Sequence, residues 1–274
     1  DRAEGEAMDI SHGASFAGPM KIYAGGYEDV GDASIIVITA GANQKPNETR
    51  LDLVQKNAKI MTDVVTQIKE QEYKGILLIV SNPVDIMTQV AMEVSGFPEH
   101  RVFGSGTVLD SARLRYHLGQ HLGVDSRSVH AFVIGEHGDS EIAAWSSANV
   151  SGVPLNSFCE MRGHFNHEGN TESIEEQVKN SAYEIIAKKD ATYYGIAMVV
   201  KRICQAIVRD EKSIFPISLR MHGEYALEDV VLSMPAIVGA RGIETTIPIS
   251  LDEKEVSRLH ESAEMLRETR KEIR

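Results

Sequence analysis

Ser34-Ile-Ile-Val-Ile-Thr-Ala-Gly41 is the clearest indication of the fold in this sequence. Its β-branched apolar residues follow one another without polar alternation. A run of this kind predicts a strand buried on both faces, as the strands of a parallel sheet are. Ile76-Leu-Leu-Ile-Val-Ser-Asn82 repeats the pattern, and shorter strands are predicted at 22–24 and 101–104.

Helical patterns separate these strands. Apolar residues recur at helical spacing over 51–71, and Pro83 opens a second helix that runs to about Val94. Alternating strands and helices predict a parallel sheet with right-handed crossovers. Ligands of such sheets bind beyond the carboxyl ends of the strands. Gly41, Asn82 and Ser105 fall at those ends, so we expect them to line a cofactor site.

The pattern changes after about residue 150. Polar, irregular sequence over 158–173 is followed by two predicted helices and three predicted strands with short Gly/Pro turns, which favour an antiparallel sheet. Ser250 with Glu253 forms a capping-box pattern that predicts the start of the last helix. The helices are predicted at 174–188 and 192–208, and the strands at 214–221, 230–236 and 242–248.

Composition restricts the class of protein. The 274 residues carry a net charge of −12, which argues against nucleic acid and anionic membrane surfaces as partners. The two cysteines of the chain, Cys159 and Cys204, lack the spacing of a metal site and imply no disulfide framework, as is usual for proteins of a reducing cytoplasm. No apolar run approaches the roughly 20 residues that span a bilayer. These features predict a cytoplasmic globular protein.

Two neighbouring stretches carry the candidate chemistry. Gly104-Ser-Gly-Thr-Val-Leu-Asp110-Ser-Ala-Arg113 predicts a strand end and a helix that presents Asp110 and Arg113 on one side. His137 follows an apolar, strand-like run from Ala131 to Ile134. If Asp110 reaches the histidine ring, it orients the ring and favours its protonated form, while Arg113 supplies a fork for a carboxylate. The alternatives are a structural histidine and an ordinary surface salt bridge.

A metal site is the competing interpretation. His164 and His167 lie in a polar stretch and suggest a ligand pair, although such histidines are more often solvated. A metal-dependent hydrolase could also be built on His137 and Asp139, but the sequence offers no evident third ligand. We therefore predict no metal.

These motifs, in this order, resemble those of the L-lactate and malate dehydrogenases. Asn82-Pro-Val-Asp85, the Asp110/Arg113 pair, Gly135-Glu-His-Gly-Asp-Ser140 and the loop-like Gly41–Arg50 stretch carry the resemblance. It implies NAD as cofactor, a Rossmann-type parallel domain over 1–105 and an α+β catalytic domain over 106–274. No Gly-x-Gly-x-x-Gly follows a strand, so we expect the first strand–helix–strand unit to be missing, and an inactive fragment remains an alternative.

The resemblance also assigns roles. His137 is expected to donate a proton to the carbonyl oxygen of the substrate, and Asp110 to orient the histidine ring. Arg113 is expected to hold the carboxylate of the substrate. Arg50 is expected to polarise the carbonyl, or else to be a surface charge at a helix start. Asn82 is expected to bond near the nicotinamide, and Thr192 to line the substrate pocket unless it only caps a helix.

Gln44 bears on the choice of substrate. Malate dehydrogenases carry an arginine at the matching place, where it pairs with the second carboxylate of oxaloacetate. A neutral glutamine would leave that charge buried without a partner. We therefore expect pyruvate and L-lactate as substrates, with malate or another 2-hydroxy acid as the alternative.

Arg115 and His130 match the residues that bind fructose 1,6-bisphosphate between subunits in bacterial L-lactate dehydrogenases. The resemblance therefore implies that effector and a homotetramer. A surface arginine and a histidine at the start of a strand are the simpler interpretation of the same two residues.

Overall fold

The computed structural model describes residues 1–42 and 50–273, and of Arg50 the backbone alone. Short 3-10 turns connect many of the elements. The helices are α1 Arg2–Gly13, α2 Arg50–Glu70, α3 Val84–Ser95, α4 Val108–Leu122, α5 Leu155–Met161, α6 His167–Lys189, α7 Tyr194–Val208 and α8 Glu253–Lys271. The strands are β1 Ile35–Ile38, β2 Ile76–Ile79, β3 Val102–Gly104, β4 Val129–His130, β5 Val133–Ile134, β6 Ile142–Ala143, β7 Asn149–Val150, β8 Val153–Pro154, β9 Ser213–His222, β10 Glu228–Gly239 and β11 Gly242–Thr246.

A six-stranded mixed sheet, in the order β1-β2-β3-β9-β10-β11, runs through the molecule. The strands β1, β2 and β3 are parallel, as the apolar runs predict, and β9 to β11 are antiparallel. The antiparallel strands do not form a separate sheet, because β9 pairs with β3 through Gly104 and Ser218. A Cβ on Gly104 would lie 2.4 Å from Thr88 Oγ1 and 2.8 Å from Ser218 Cβ, so glycine permits this close approach.

The smaller strands form two short sheets beside the main one. One contains β4, β7 and β8, and the other is the β5–β6 hairpin. A second apolar core lies under them, and Leu114, Leu118 and Leu122 of α4 contribute to it. The backbone of Gly135 also pairs with Ser233 of β10, which fixes the segment after β5 against the main sheet.

Several boundaries differ from the sequence predictions. Residues 22–24 form no strand; they precede Gly25-Gly26, and the exposed Tyr23 contacts Lys21 instead of a sheet. The segment 158–173 is largely helical, because α5 extends into it and α6 begins at His167, where Asn166 accepts a hydrogen bond from Gly169 N.

The last helix begins two residues later than predicted. The capping box is formed by Asp252 and Glu255, whose side chains each bond the other's main-chain N–H at 2.8 and 2.9 Å, and not by Ser250 and Glu253. Ile249 is held before the helix by a hydrogen bond from Tyr225 Oη to its carbonyl, 2.7 Å long. The helix therefore begins at Glu253, with Asp252 as its N-cap.

Candidate active site

His137 lies in the loop after β5, at the carboxyl-end edge of the central sheet. Its main-chain N–H donates to Asp85 Oδ2 at 2.7 Å, which fixes the loop on α3. Its Nδ1 lies 2.6 Å from Oδ2 of Asp110, in the first turn of α4. The ring is 27% exposed, whereas the Asp110 side chain is 2% exposed. One side of the imidazole is therefore fixed by protein and the other is accessible to a ligand.

Arg113 completes this group one turn further along α4. Its Nη1 donates to Asp110 Oδ1 at 2.8 Å, so the two oxygens of one carboxylate hold the histidine and the arginine. The Arg113 side chain is 13% exposed. The Asp110–Arg113 pair is therefore mostly buried, unlike the ordinary surface salt bridge considered as the alternative. A cation and a fixed imidazole beside a partly open space suit an anionic, carbonyl-containing ligand.

The His137 ring holds its proton more strongly than an ordinary histidine. Burial alone lowers its pKa, because the charged ring loses water. The charge and hydrogen bond of Asp110, with the charges of Asp85 and Glu141, outweigh this and raise the pKa from 6.5 to about 9. Burial raises the pKa of Asp110, but His137 and Arg113 bring it below its ordinary value. At neutral pH the pair is an imidazolium and a carboxylate.

Asp85 lies beneath His137, in a position for which the sequence predicts no role. It is 2% exposed and accepts hydrogen bonds from His137 N, from Ser218 Oγ at 2.6 Å and from Ser233 Oγ at 3.4 Å. Burial raises its pKa to about 6 against these bonds. An unpaired buried carboxylate costs several kcal/mol, which such bonds offset. The sequence did contain a sign of this role, because Asp85 is an acidic residue within the otherwise apolar start of α3.

Glu141, just before β6, was also missed. It is 4% exposed, and one of its oxygens, a ring nitrogen of His137 and an oxygen of Asp110 all lie within 4.8 Å of one another. Burial, followed by the Asp110 charge, raises its pKa to about 8. Unlike Asp85 and Asp110, this buried carboxyl group is therefore largely neutral at pH 7.

The predicted cofactor residues lie together at the carboxyl ends of the parallel strands. Gly41 and Asn82 are exposed there, and Ser105, 4% exposed, directly follows β3. Asn57 of α2 links two of these ends, because its Oδ1 accepts from Ala42 N at 2.8 Å and its Nδ2 donates to Asn82 O at 3.0 Å. The result is a polar edge of the kind that binds ligands in α/β sheets.

The remaining predicted residues lie in different places. Thr192 is half-buried and precedes α7, which begins at Tyr194 and not at the threonine. Arg115 is half-buried on α4, with Nε donating to Ser111 O at 3.3 Å, and the exposed His130 lies on β4, which packs on that helix. Gln44 and the Arg50 side chain lie outside the described residues.

The residues considered for a metal are dispersed. His164 packs its ring on His121, and His167 Nε2 lies 3.2 Å from Glu160 Oε1. Asp139 Oδ1 accepts from Tyr183 Oη at 3.0 Å. Within 1–42 and 50–273, no second histidine joins His137 and Asp139 in a group of three potential ligands.

Comparison with known sequences and structures places this geometry in a family. Residues 1–104 match the NAD binding domain of lactate/malate dehydrogenases, and residues 107–274 match their alpha/beta C-terminal domain. L-lactate dehydrogenase from Acetivibrio thermocellus is 48% identical over 97% of this chain and 84% of its own length. The enzyme of the same name from Streptococcus pneumoniae is 49% identical over 97% of this chain and 81% of its own length.

Solved structures agree. A lactate dehydrogenase from a Medee basin deep-sea metagenome has a TM-score of 0.94 at 46% identity, over 99% of this chain and 87% of that one. The ligand-bound minor L-lactate dehydrogenase of Enterococcus mundtii has a TM-score of 0.96 at 41% identity, with the same coverage. Among the described helices, none is both long and apolar enough to cross a membrane.

The two family matches and the identity of nearly one half to curated relatives show that the chain belongs to the lactate/malate dehydrogenase family.

Proposed function

We propose that this protein is an NAD-dependent L-lactate dehydrogenase, which reduces pyruvate to L-lactate and catalyses the reverse reaction. The observation that carries the proposal is the shared Asp110 carboxylate, which holds the protonated His137 on one oxygen and Arg113 on the other. Reduction of a 2-oxo acid requires a proton for the carbonyl oxygen and a cation for the carboxylate. This group offers both within one buried cluster.

The cofactor fits the polar edge formed by the strand ends. Gly41 and Asn82 expose backbone and amide groups there, and Ser105 follows the third parallel strand. These residues would hold the nicotinamide end of NAD, because their donors and acceptors match its carboxamide. The bound nicotinamide supplies or accepts the hydride. Asn57, which ties two strand ends together, would keep that edge rigid.

His137 would act as the proton donor to the carbonyl oxygen. Its Nδ1 is engaged by Asp110, so Nε2 is the nitrogen from which the transferable proton would leave. Asp85 holds the main chain of the same residue, and Asp110 holds its ring. In the oxidation direction the neutral ring would accept the proton from the lactate hydroxyl.

Arg113 would bind the substrate carboxylate with the part of its guanidinium fork not used by Asp110. Two parallel bonds to the carboxylate would set which face of the carbonyl meets the cofactor. Arg50 and Thr192 are proposed by family resemblance to polarise the carbonyl and to line the pocket.

The direct test is oxidation of NADH by the purified protein with a panel of 2-oxo acids. L-lactate as the product, and a higher kcat/KM for pyruvate than for oxaloacetate or branched 2-oxo acids, are expected. A preference for oxaloacetate would support the alternative, a malate dehydrogenase, and D-lactate would contradict the proposed substrate orientation.

The Gln44→Arg variant tests the choice between the two substrates. The new cation would pair with the second carboxylate of oxaloacetate but would find no partner on pyruvate. We therefore expect the ratio of kcat/KM values to move toward oxaloacetate by about tenfold or more. Gln44→Asn, which adds no charge, is the matched control. An unchanged ratio in the arginine variant would show that residue 44 does not select the substrate.

We also propose fructose 1,6-bisphosphate as an effector and a homotetrameric assembly. Arg115 and His130 supply cationic or hydrogen-bonding groups on neighbouring elements, as a phosphate site needs. Large exposed side chains on α6 and α7, including Tyr183, Tyr194 and Met198, suit subunit contacts. Sedimentation with and without fructose 1,6-bisphosphate tests both the assembly and its response to the effector.

We also propose a cytoplasmic location, which the free thiols of Cys159 and Cys204 support.

A further inference from the structure

Glu141 shares the buried pocket of the His137–Asp110 pair but is not used in the chemistry proposed above. It is 4% exposed, and atoms of the three side chains lie within 4.8 Å of one another. At such distances in a protein interior, a unit charge on one group changes the protonation of the others. The three groups therefore titrate together.

Charged groups on three helices lie close to Glu141. On α4 these are Asp110 and Arg113, and on α6 Lys179 lies 3.4 Å from Glu175. Arg258 of α8 donates to the main-chain carbonyl of Glu141 at 3.3 Å and also pairs with Glu175.

These cations already have carboxylate partners. Arg113 pairs with Asp110, whereas Lys179 and Arg258 both pair with Glu175. Burial and the Asp110 charge therefore prevail and raise the pKa of Glu141 to about 8. The carboxyl keeps its proton at neutral pH and loses it just below the range in which His137 does.

We propose that Glu141 is a positioning residue that extends to higher pH the range over which His137 keeps its transferable proton. This inference rests on the proposed function, because it assigns His137 the proton donated to pyruvate. As pH rises, Glu141 ionises and places a second negative charge beside the imidazolium. That charge opposes loss of the proton from His137, so the donor stays charged after the neighbouring acid has titrated.

The test is the pH dependence of kcat/KM for pyruvate at saturating NADH in Glu141→Gln. Glutamine fills the same space but cannot become an anion. We expect the basic limb to move toward lower pH by about one unit or more, with a change of less than about threefold at pH 6. Glu141→Asp should restore at least half of the shift. Glu176→Gln, at an exposed position of α6, removes the same charge and should leave the limb in place.

A second measurement does not depend on turnover. The His137 ring can be titrated by NMR of protein with carbon-13-labelled histidine, assigned by comparison with His137→Asn. In Glu141→Gln its midpoint should fall by the same amount as the kinetic limb. An unmoved midpoint overturns the role of Glu141, as does a loss of activity that is equal at every pH. Absence of pyruvate reduction by the wild type, with a normal shift of the midpoint, would instead refute the proposed function.

Discussion

Replacing His137 with asparagine is expected to lower kcat for pyruvate reduction by at least about a hundredfold, the usual contribution of a general acid. Asparagine can still bond Asp110, and the main-chain bond to Asp85 remains, so the loop should keep its place. The variant would lack the proposed donor, a ring that holds a proton at neutral pH and could release it to the carbonyl oxygen. Steady-state kinetics with saturating NADH and pyruvate measure the effect.

The loss must be separated from damage to cofactor binding. NADH affinity, followed by fluorescence titration, should change by less than about threefold, since His137 lies on a different segment from the strand ends. His100→Asn is the matched control, because this exposed histidine lies just before the amino end of β3. Turnover near the wild-type value in His137→Asn would remove this residue from the mechanism.

Arg113→Lys should lower kcat/KM for pyruvate by about a hundredfold, although it keeps the positive charge. Lysine is a point charge and cannot form two parallel bonds to a carboxylate while it also holds Asp110 Oδ1. The Arg113 side chain is 13% exposed, so little water is available to replace the lost contacts. Separate values of kcat and KM show whether binding or orientation suffers.

A surface pair of the same kind provides the control. Arg127 bonds Asp125 at 2.6 Å but is 89% exposed, and exposed pairs contribute little. Arg127→Lys should therefore leave kcat/KM within about twofold of the wild type. An Arg113→Lys enzyme that matched this control would show that charge alone is sufficient and that the proposed two-bond clamp is wrong.

The parallel half of the fold was predictable from local sequence. The apolar runs that became β1 and β2 can be buried only between two layers, and the family assignment follows from motifs in register. The joining of both halves into one sheet was not predictable, because it depends on contact between Gly104 and Ser218, which are far apart in the chain. The position of the last capping box was also ambiguous, because Ser250/Glu253 and Asp252/Glu255 both fit the pattern and only the second pair forms the two hydrogen bonds.

The residues of the candidate site likewise include some that the sequence predicted and others that it did not. His137, Asp110 and Arg113 could be chosen because their residue types and spacing suggest chemistry. Asp85 and Glu141 could not, because their importance arises from burial and from partners distant in sequence. Ser218, for example, lies 133 positions from the Asp85 carboxylate that it bonds. Sequence patterns indicate which side chains can react. Packing determines which buried carboxyl groups lie close enough to change the pKa values of those side chains.

The central claim is that His137, held by Asp110, carries the proton in both directions of the reaction. Its most direct test is kcat/KM for pyruvate reduction and for lactate oxidation from pH 6 to pH 10, at constant ionic strength. Reduction needs the imidazolium and should fall as pH rises toward about 9, whereas oxidation needs the neutral ring and should rise over the same range. Profiles that change in the same direction, or that do not respond to pH, would contradict the claim.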